Sequence, residues 1–132
     1  MKIGVLDDNQ AILDYIVTVL TLDRHTVETH ATGESLLGAI FSPARARDEL
    51  PYDLIILDLL LPGEHSGADV FISIRKHFPA QHLPIIVITA VGGATLEQFR
   101  LILPDDVPLL HKPFSPRSLR QMITRLTEGR DL

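Results

Sequence analysis

Two runs of aliphatic residues without a polar break, Leu54-Ile55-Ile56-Leu57 and Ile85-Ile86-Val87-Ile88, constrain this chain more than any other feature. A strand with one wet face alternates apolar and polar residues, because successive side chains point to opposite sides. A strand that does not alternate is buried on both faces, as the inner strands of a parallel sheet are. Both runs end on polar residues, Asp58 after the first and Thr89 after the second. In open α/β sheets ligands bind at the carboxyl ends of the strands. Both endings are therefore candidate site residues.

The rest of the chain supplies the crossovers that a parallel sheet requires. Ile3 to Leu6 reads as a short first strand that ends at Asp7-Asp8. Asn9 to Leu22 carries Ile12, Ile16, Val19 and Leu20 at helical spacing. Thr26 to Ala31, rich in Thr and Val, reads as a strand, and Thr32-Gly33-Glu34 opens a helix through Leu36, Leu37 and Ile40. Ser42 to Pro51 is polar and bounded by prolines, which predicts an irregular loop or a frayed helical turn. The third strand is expected over Asp53–Leu57 and a helix over Ala68–Phe78, with Val70, Phe71 and Ile74 as its apolar stripe. A strand over Pro84–Ala90, a helix over Thr95–Leu103 and a strand over Val107–Leu110 follow. Pro108 lacks an N–H, which places that last strand at or near a sheet edge. Ser115-Pro116 is a helix start, followed by Leu119, Met122, Ile123 and Leu126 at i, i+3, i+4, i+7. Five strands alternating with five helices predict one α/β domain over residues 1–132, with a parallel sheet covered on both faces.

Composition removes several classes of function. A net charge of −5 argues against direct nucleic-acid binding, which needs a dense basic footprint. The absence of Cys excludes a disulfide framework, a thiolate metal site and a thiol nucleophile. The six His are scattered, show no metal-ligand spacing and read as surface or partly buried residues. No segment approaches the roughly 20 apolar residues of a membrane span. Asp7-Asp8 comes too early for a signal peptide. A cytoplasmic protein without membrane attachment is expected.

Parallel strands present their C-terminal ends at one edge, so the topology gathers Asp7, Asp8, Asp58, Thr89 and Lys112 without proximity in sequence. Three clustered carboxylates repel one another unless a cation sits among them. Their hard oxygen donors suit Mg²⁺, or Mn²⁺, with several waters retained. Lys112 adds an ammonium and Thr89 a hydroxyl. Together these groups suit transfer of a phosphoryl group onto a carboxylate.

The pattern Asp7-Asp8, Asp58, Thr89-Ala90, Lys112-Pro113-Phe114 resembles the receiver domain of two-component response regulators, the chemotaxis-regulator-like family. The resemblance implies a flavodoxin-like sheet of strand order 2-1-3-4-5. It implies that Asp58 accepts a phosphoryl group from a sensor histidine kinase or a phosphotransfer protein. Asp8 would bind Mg²⁺ directly, Asp7 mainly through water, and the Leu60 backbone carbonyl would be a further ligand. Thr89, Lys112 and the Ala90 N–H would hold the phosphoryl oxygens. The Lys112–Pro113 bond would be cis. The chain would then be a phosphoacceptor switch rather than an enzyme, working as a stand-alone receiver. Its output would pass to an unknown downstream protein, or through self-association, by way of the last helix and fifth strand. Arg117, Arg120, Gln121 and Arg125 give that helix a basic outward face.

Departures from the family pattern carry expectations of their own. Leu109 stands where the family often has a Tyr or Phe that completes the switch. Leu60 and Val91 occupy positions where polar side chains often orient the hydrolytic water, so slow self-dephosphorylation is predicted. The loop Gly63–Gly67 looks one residue longer than usual. Two rival readings keep the same fold class: a phosphorylation-independent interaction module, and a Mg²⁺-dependent phosphatase with an aspartyl-phosphate intermediate. The phosphatase class usually places a second acid two residues after its nucleophile, where this chain has Leu60.

Overall fold

The structure of the chain, a computed structural model, describes residues 1–43, 50–61 and 66–128. Five strands and five helices alternate in order: β1 (Lys2–Leu6), α1 (Gln10–Leu22), β2 (Thr26–His30), α2 (Gly33–Ile40), β3 (Leu54–Asp58), α3 (Gly67–Arg75), β4 (Ile85–Thr89), α4 (Gly93–Arg100), β5 (Leu109–His111) and α5 (Pro116–Thr127). All pairings are parallel, in the order β2-β1-β3-β4-β5. The sheet is thus doubly wound and flavodoxin-like, as the sequence predicts.

The two unbroken aliphatic runs occupy β3 and β4, where every residue is buried. Alternate residues serve opposite cores. Ile55, Leu57, Ile85 and Val87 pack with Leu36, Val70, Phe71 and Ile74 beneath α2, α3 and α4. Leu54, Ile56, Ile86 and Ile88 pack with Ile16, Leu20, Leu119 and Ile123 beneath α1 and α5. Complete burial of each such side chain stabilises the fold by about 1.5–3 kcal/mol before entropy is counted. The edge strands are poorer in burial, and in β2 only His30 is buried.

Short polar residues start most of the helices. The Asn9 and Thr32 side chains accept from the N–H groups of Ile12 and Ser35. Ser66 and Asp69 form a reciprocal capping box on α3. Ser115 caps α5, with Pro116 inside it.

Several boundaries differ from the sequence expectation, each for a local reason. β3 extends to Asp58, because the Leu59 N–H still donates to the Ile88 carbonyl at 2.9 Å. α3 stops at Arg75, and Phe78 follows in a turn whose N–H bonds the Ile74 carbonyl. α4 begins two residues earlier than expected, at Gly93, which adopts φ +58°, a conformation open to glycine, with Gly92 as the N-cap. Leu103 is buried like a helix residue although α4 ends at Arg100. β5 starts only at Leu109, at the sheet edge, and Pro108 contributes its carbonyl to the Val87 N–H at 2.9 Å. The predicted loop over Ser42–Pro51 falls mostly outside the described residues, as does most of the Gly63–Gly67 loop.

Candidate functional site

The parallel sheet brings its carboxyl ends to one rim, and four strand endings carry polar groups there. Asp7 follows β1 and is fully buried, and Asp8 beside it is exposed. Asp58 ends β3 at 5% exposure, and Thr89 ends β4 at 0%. Lys112 follows β5 and is held against β4 by its backbone N–H, which donates to the Thr89 carbonyl at 2.8 Å. The carboxylates of Asp7, Asp8 and Asp58 each place an oxygen within 4.8 Å of the others. The predicted convergence is therefore present for the carboxylates and the lysine.

Lys112 ties the rim together. Its Nζ donates to Asp7 Oδ2 at 2.7 Å and to Asp58 Oδ2 at 3.3 Å. Burial alone would lower the Lys112 pKa, but the bond to Asp7 and the charges of Asp58 and Asp7 outweigh it, so the ammonium is held charged. The other oxygen of Asp7 accepts from the Asn9 N–H at 2.9 Å. Asp58 Oδ1 accepts only a long bond, 3.4 Å, from the Leu60 N–H. Its pKa is pushed up to about 6, first by burial and then by the charge of Asp7, with Lys112 and the Leu60 N–H opposing. Three carboxylates and one ammonium leave a formal charge of −3 + 1 = −2 when all are ionised. An excess of two negative charges on hard oxygen donors matches one divalent ion of the Mg²⁺ or Mn²⁺ class. The residues present fit that group.

The neighbouring positions fall as follows. Thr89 Oγ1 accepts from the Val91 N–H at 3.0 Å, which leaves its own O–H proton uncommitted to that bond. Ala90 is exposed beside it. The Lys112–Pro113 peptide is cis. The Leu60 side chain is 43% exposed two residues beyond Asp58. Leu109 is half-buried and packs against the core beneath α2, α3 and α4.

Three contributors escape the sequence reading. A Cβ on Gly67 would lie 1.8 Å from the Asp58 carbonyl oxygen, so only glycine lets α3 approach the strand end that carries Asp58. Tyr15, on α1, donates its hydroxyl to the Phe114 carbonyl at 2.8 Å, just beyond the Lys-Pro pair. His30, grouped with the surface or partly buried histidines, is only 7% exposed, and both ring nitrogens are hydrogen-bonded. Ser66, a residue type that favours the N-cap, could have pointed to a helix start at Gly67, but no local pattern marks the contacts of the other two.

Known proteins resemble this chain in sequence and in fold. The family model described as response regulator receiver domain matches residues 3–124. A probable transcriptional regulatory protein of Picosynechococcus sp. is 32% identical over 124 residues, covering 94% of this chain and 47% of that protein. A CheY-like response regulator receiver domain protein from Methanospirillum hungatei superposes with TM-score 0.76 at 24% identity, covering 98% of this chain and 95% of that one. The response regulator TrrA of Thermotoga maritima, solved in complex with Mg²⁺–BeF, superposes with TM-score 0.74 at 27% identity, covering 95% and 97%. The chain spans about half the length of the curated relatives it matches.

Proposed function

The chain belongs to the response regulator receiver domain family, and from that premise we propose that Asp58 is the residue that accepts the phosphoryl group. The donor is a phosphohistidine on a sensor histidine kinase or phosphotransfer protein. An Asp58 oxygen attacks phosphorus, the P–N bond breaks, and the imidazole leaves with its electron pair and takes up a proton. The observation that carries this reading is the Lys112 ammonium bridging Asp7 and Asp58 within a three-carboxylate cluster.

The other residues divide the work around that event. Asp8, exposed and with a carboxylate that accepts no hydrogen bond among the described residues, is the direct ligand for Mg²⁺. Both oxygens of Asp7 are already engaged by Lys112 and the Asn9 N–H, which suits contact through water. Asp58 and the Leu60 backbone carbonyl complete the metal set. Bound there, a divalent ion screens the charge of carboxylates and phosphoryl oxygens as they approach. Lys112 exchanges part of its carboxylate pairing for a phosphoryl oxygen. Thr89 offers its hydroxyl proton and Ala90 its N–H to the others. These new contacts exist only in the phosphorylated state, so they supply the differential free energy that shifts the population.

Receiver domains are phosphoacceptor switches rather than true enzymes, and the output of this one is proposed to be a protein contact. Arg117 and Arg125 stand on the outward side of α5, while Arg120 is paired with Asp23 at 2.7 Å. That face, with β5 beside it, suits an acidic patch on a downstream protein or a second copy. The expectation of a stand-alone unit finds no support in relatives of about twice this length.

Incubation with a small phosphodonor and Mg²⁺, followed by intact-mass measurement, tests the central claim. The wild type should gain one phosphate and Asp58→Asn none. Equal labelling of both would sink it.

A further inference from the structure

Resting on the reading of Asp7 as part of the metal-binding cluster, we propose that His30 is a positioning residue for it. A directional chain of hydrogen bonds from Ser35 through His30 and Tyr52 to Glu28 pins the end of β2, whose last carbonyl accepts from the Asp7 N–H.

β2 is an edge strand, paired only with β1. Four of its five residues are exposed or half-exposed, so aliphatic packing does little to hold it. Its last residue nevertheless has a task at the rim. The His30 carbonyl accepts from the Asp7 N–H at 3.1 Å, one rung beyond the final ladder pair Leu6–His30. If the end of β2 frays, that rung opens and Asp7 loses one of the bonds that orient it.

The His30 side chain replaces the missing packing with polar contacts. Nδ1 meets Ser35 Oγ at 2.7 Å, in the first turn of α2, and Nε2 meets the Tyr52 hydroxyl at 2.7 Å. Tyr52 in turn donates to Glu28 on β2. Counting protons sets the direction. A carboxylate can only accept, so the Tyr52 proton goes to Glu28. The Tyr52 oxygen must then accept from His30, which places the ring proton on Nε2. Nδ1 of the neutral ring is left to accept from the Ser35 hydroxyl. Burial, which lowers the His30 pKa against the pull of Glu28, favours that neutral ring.

The arrangement is built into the backbone as well. Tyr52 precedes β3, yet its hydroxyl reaches the far end of β2, and its ring packs against Gly4 of β1 on the way. A Cβ at Gly4 would stand 2.8 Å from Tyr52 Cδ2. The same face is otherwise apolar, with Leu6, Leu36 and Ile55 in the same core. The polar chain thus joins α2, β2 and the entry to β3 at an edge of the rim that packing leaves weak.

Native-state hydrogen exchange of the metal-free, unphosphorylated chain tests the inference without relying on phosphorylation. In His30→Leu the Asp7 amide should exchange about tenfold faster or more, while the Ile56 and Val87 amides of the inner strands keep their protection. The Mg²⁺ dissociation constant should rise several-fold by titration. His30→Gln, whose side-chain N–H can reach Tyr52, should recover part of both effects. Tyr52→Phe, which removes only the hydroxyl, should reproduce the Asp7 effect and serves if His30→Leu does not fold. Nitrogen chemical shifts of the wild-type imidazole should report the proton on Nε2. Unchanged Asp7 exchange in the folded variants, uniform loss of protection across all strands, or a proton on Nδ1 would each overturn the inference. If Asp58 takes no phosphate but Asp7 exchange still responds to His30, the functional reading fails and this inference stands.

Discussion

Asp58 combines two demands that pull against each other. It is buried at the end of an inner strand, and on the proposed reading it must also be ionised enough to act as a nucleophile. Burial and the Asp7 charge hold its pKa near 6, above the ordinary 3.8. A carboxyl with a raised folded-state pKa contributes stability that is fully present below about pH 3.8 and is lost as pH rises through about 6. A divalent ion binds the ionised form and so reverses that loss by linkage. Thermal melts with and without Mg²⁺ should therefore show little gain at about pH 5 and a full gain at about pH 7.5, the rise centred near the Asp58 pKa of about 6. Asp8→Ala should lose most of the gain at every pH. Lys112 gives a second test at this scale. Lys112→Met leaves Asp7 and Asp58 without their shared cation, so urea unfolding at about pH 8 should show a loss of about 1–3 kcal/mol, smaller at about pH 5, where Asp58 takes a proton. The same variant should bind Mg²⁺ at least as tightly, because the site is more negative, yet accept phosphate much more slowly. Weaker Mg²⁺ binding in that variant would count against the charge argument.

At the level of elements, what matters is how closely helices approach the strand ends. α3 touches the Asp58 carbonyl through Gly67, where any Cβ would be driven into backbone. Gly67→Ala should cost about 1–3 kcal/mol or more, read as a lowered melting temperature, because the clash cannot be relieved by a side-chain rotation. It should also slow phosphorylation more than Ser66→Ala, which removes a cap worth about 1 kcal/mol and leaves the approach intact. α4 differs from its neighbours. Its start is a glycine pair without a side-chain cap, and Leu96 is its one buried residue within the helix. The sequence reading placed this helix two to three residues too late, since it treated Gly92-Gly93 as a breaker and took buried Leu103 for a helical position. Periodicity records burial, and a turn packed against the core is buried too.

Across the whole molecule, the proposed function requires the fold to convert one covalent event at the rim into a change at a distant surface. With Asp58 as the acceptor, Leu60 and Val91 would stand near the phosphoryl group with side chains that cannot orient a water, so the phosphorylated form should persist. Intact-mass decay after removal of the phosphodonor should be slow, and Leu60→Glu with Val91→Asn should shorten the lifetime at least several-fold. Decay within seconds in the wild type would contradict that expectation. Leu109, lacking an aromatic ring, is half-buried against the α2–α4 core, so the movement that reaches the α5 face must do without an aromatic swing.

Strand identity, the alternation of strands with helices and the polar strand endings are all written in local spacing, because burial on two faces leaves a short, largely β-branched run without alternation. Those features determined the sheet, the rim and the residues gathered on it. What local spacing cannot carry is a pairing between residues far apart in the chain, such as Lys112 with Asp7, Tyr15 with Phe114 or His30 with Tyr52. Nor can it carry the close approach of Gly67 to Asp58, which depends on where one helix lands on one strand. These were decided only when the elements packed, since a hydrogen bond or a van der Waals contact acts over a few ångströms of space, whatever the separation along the chain.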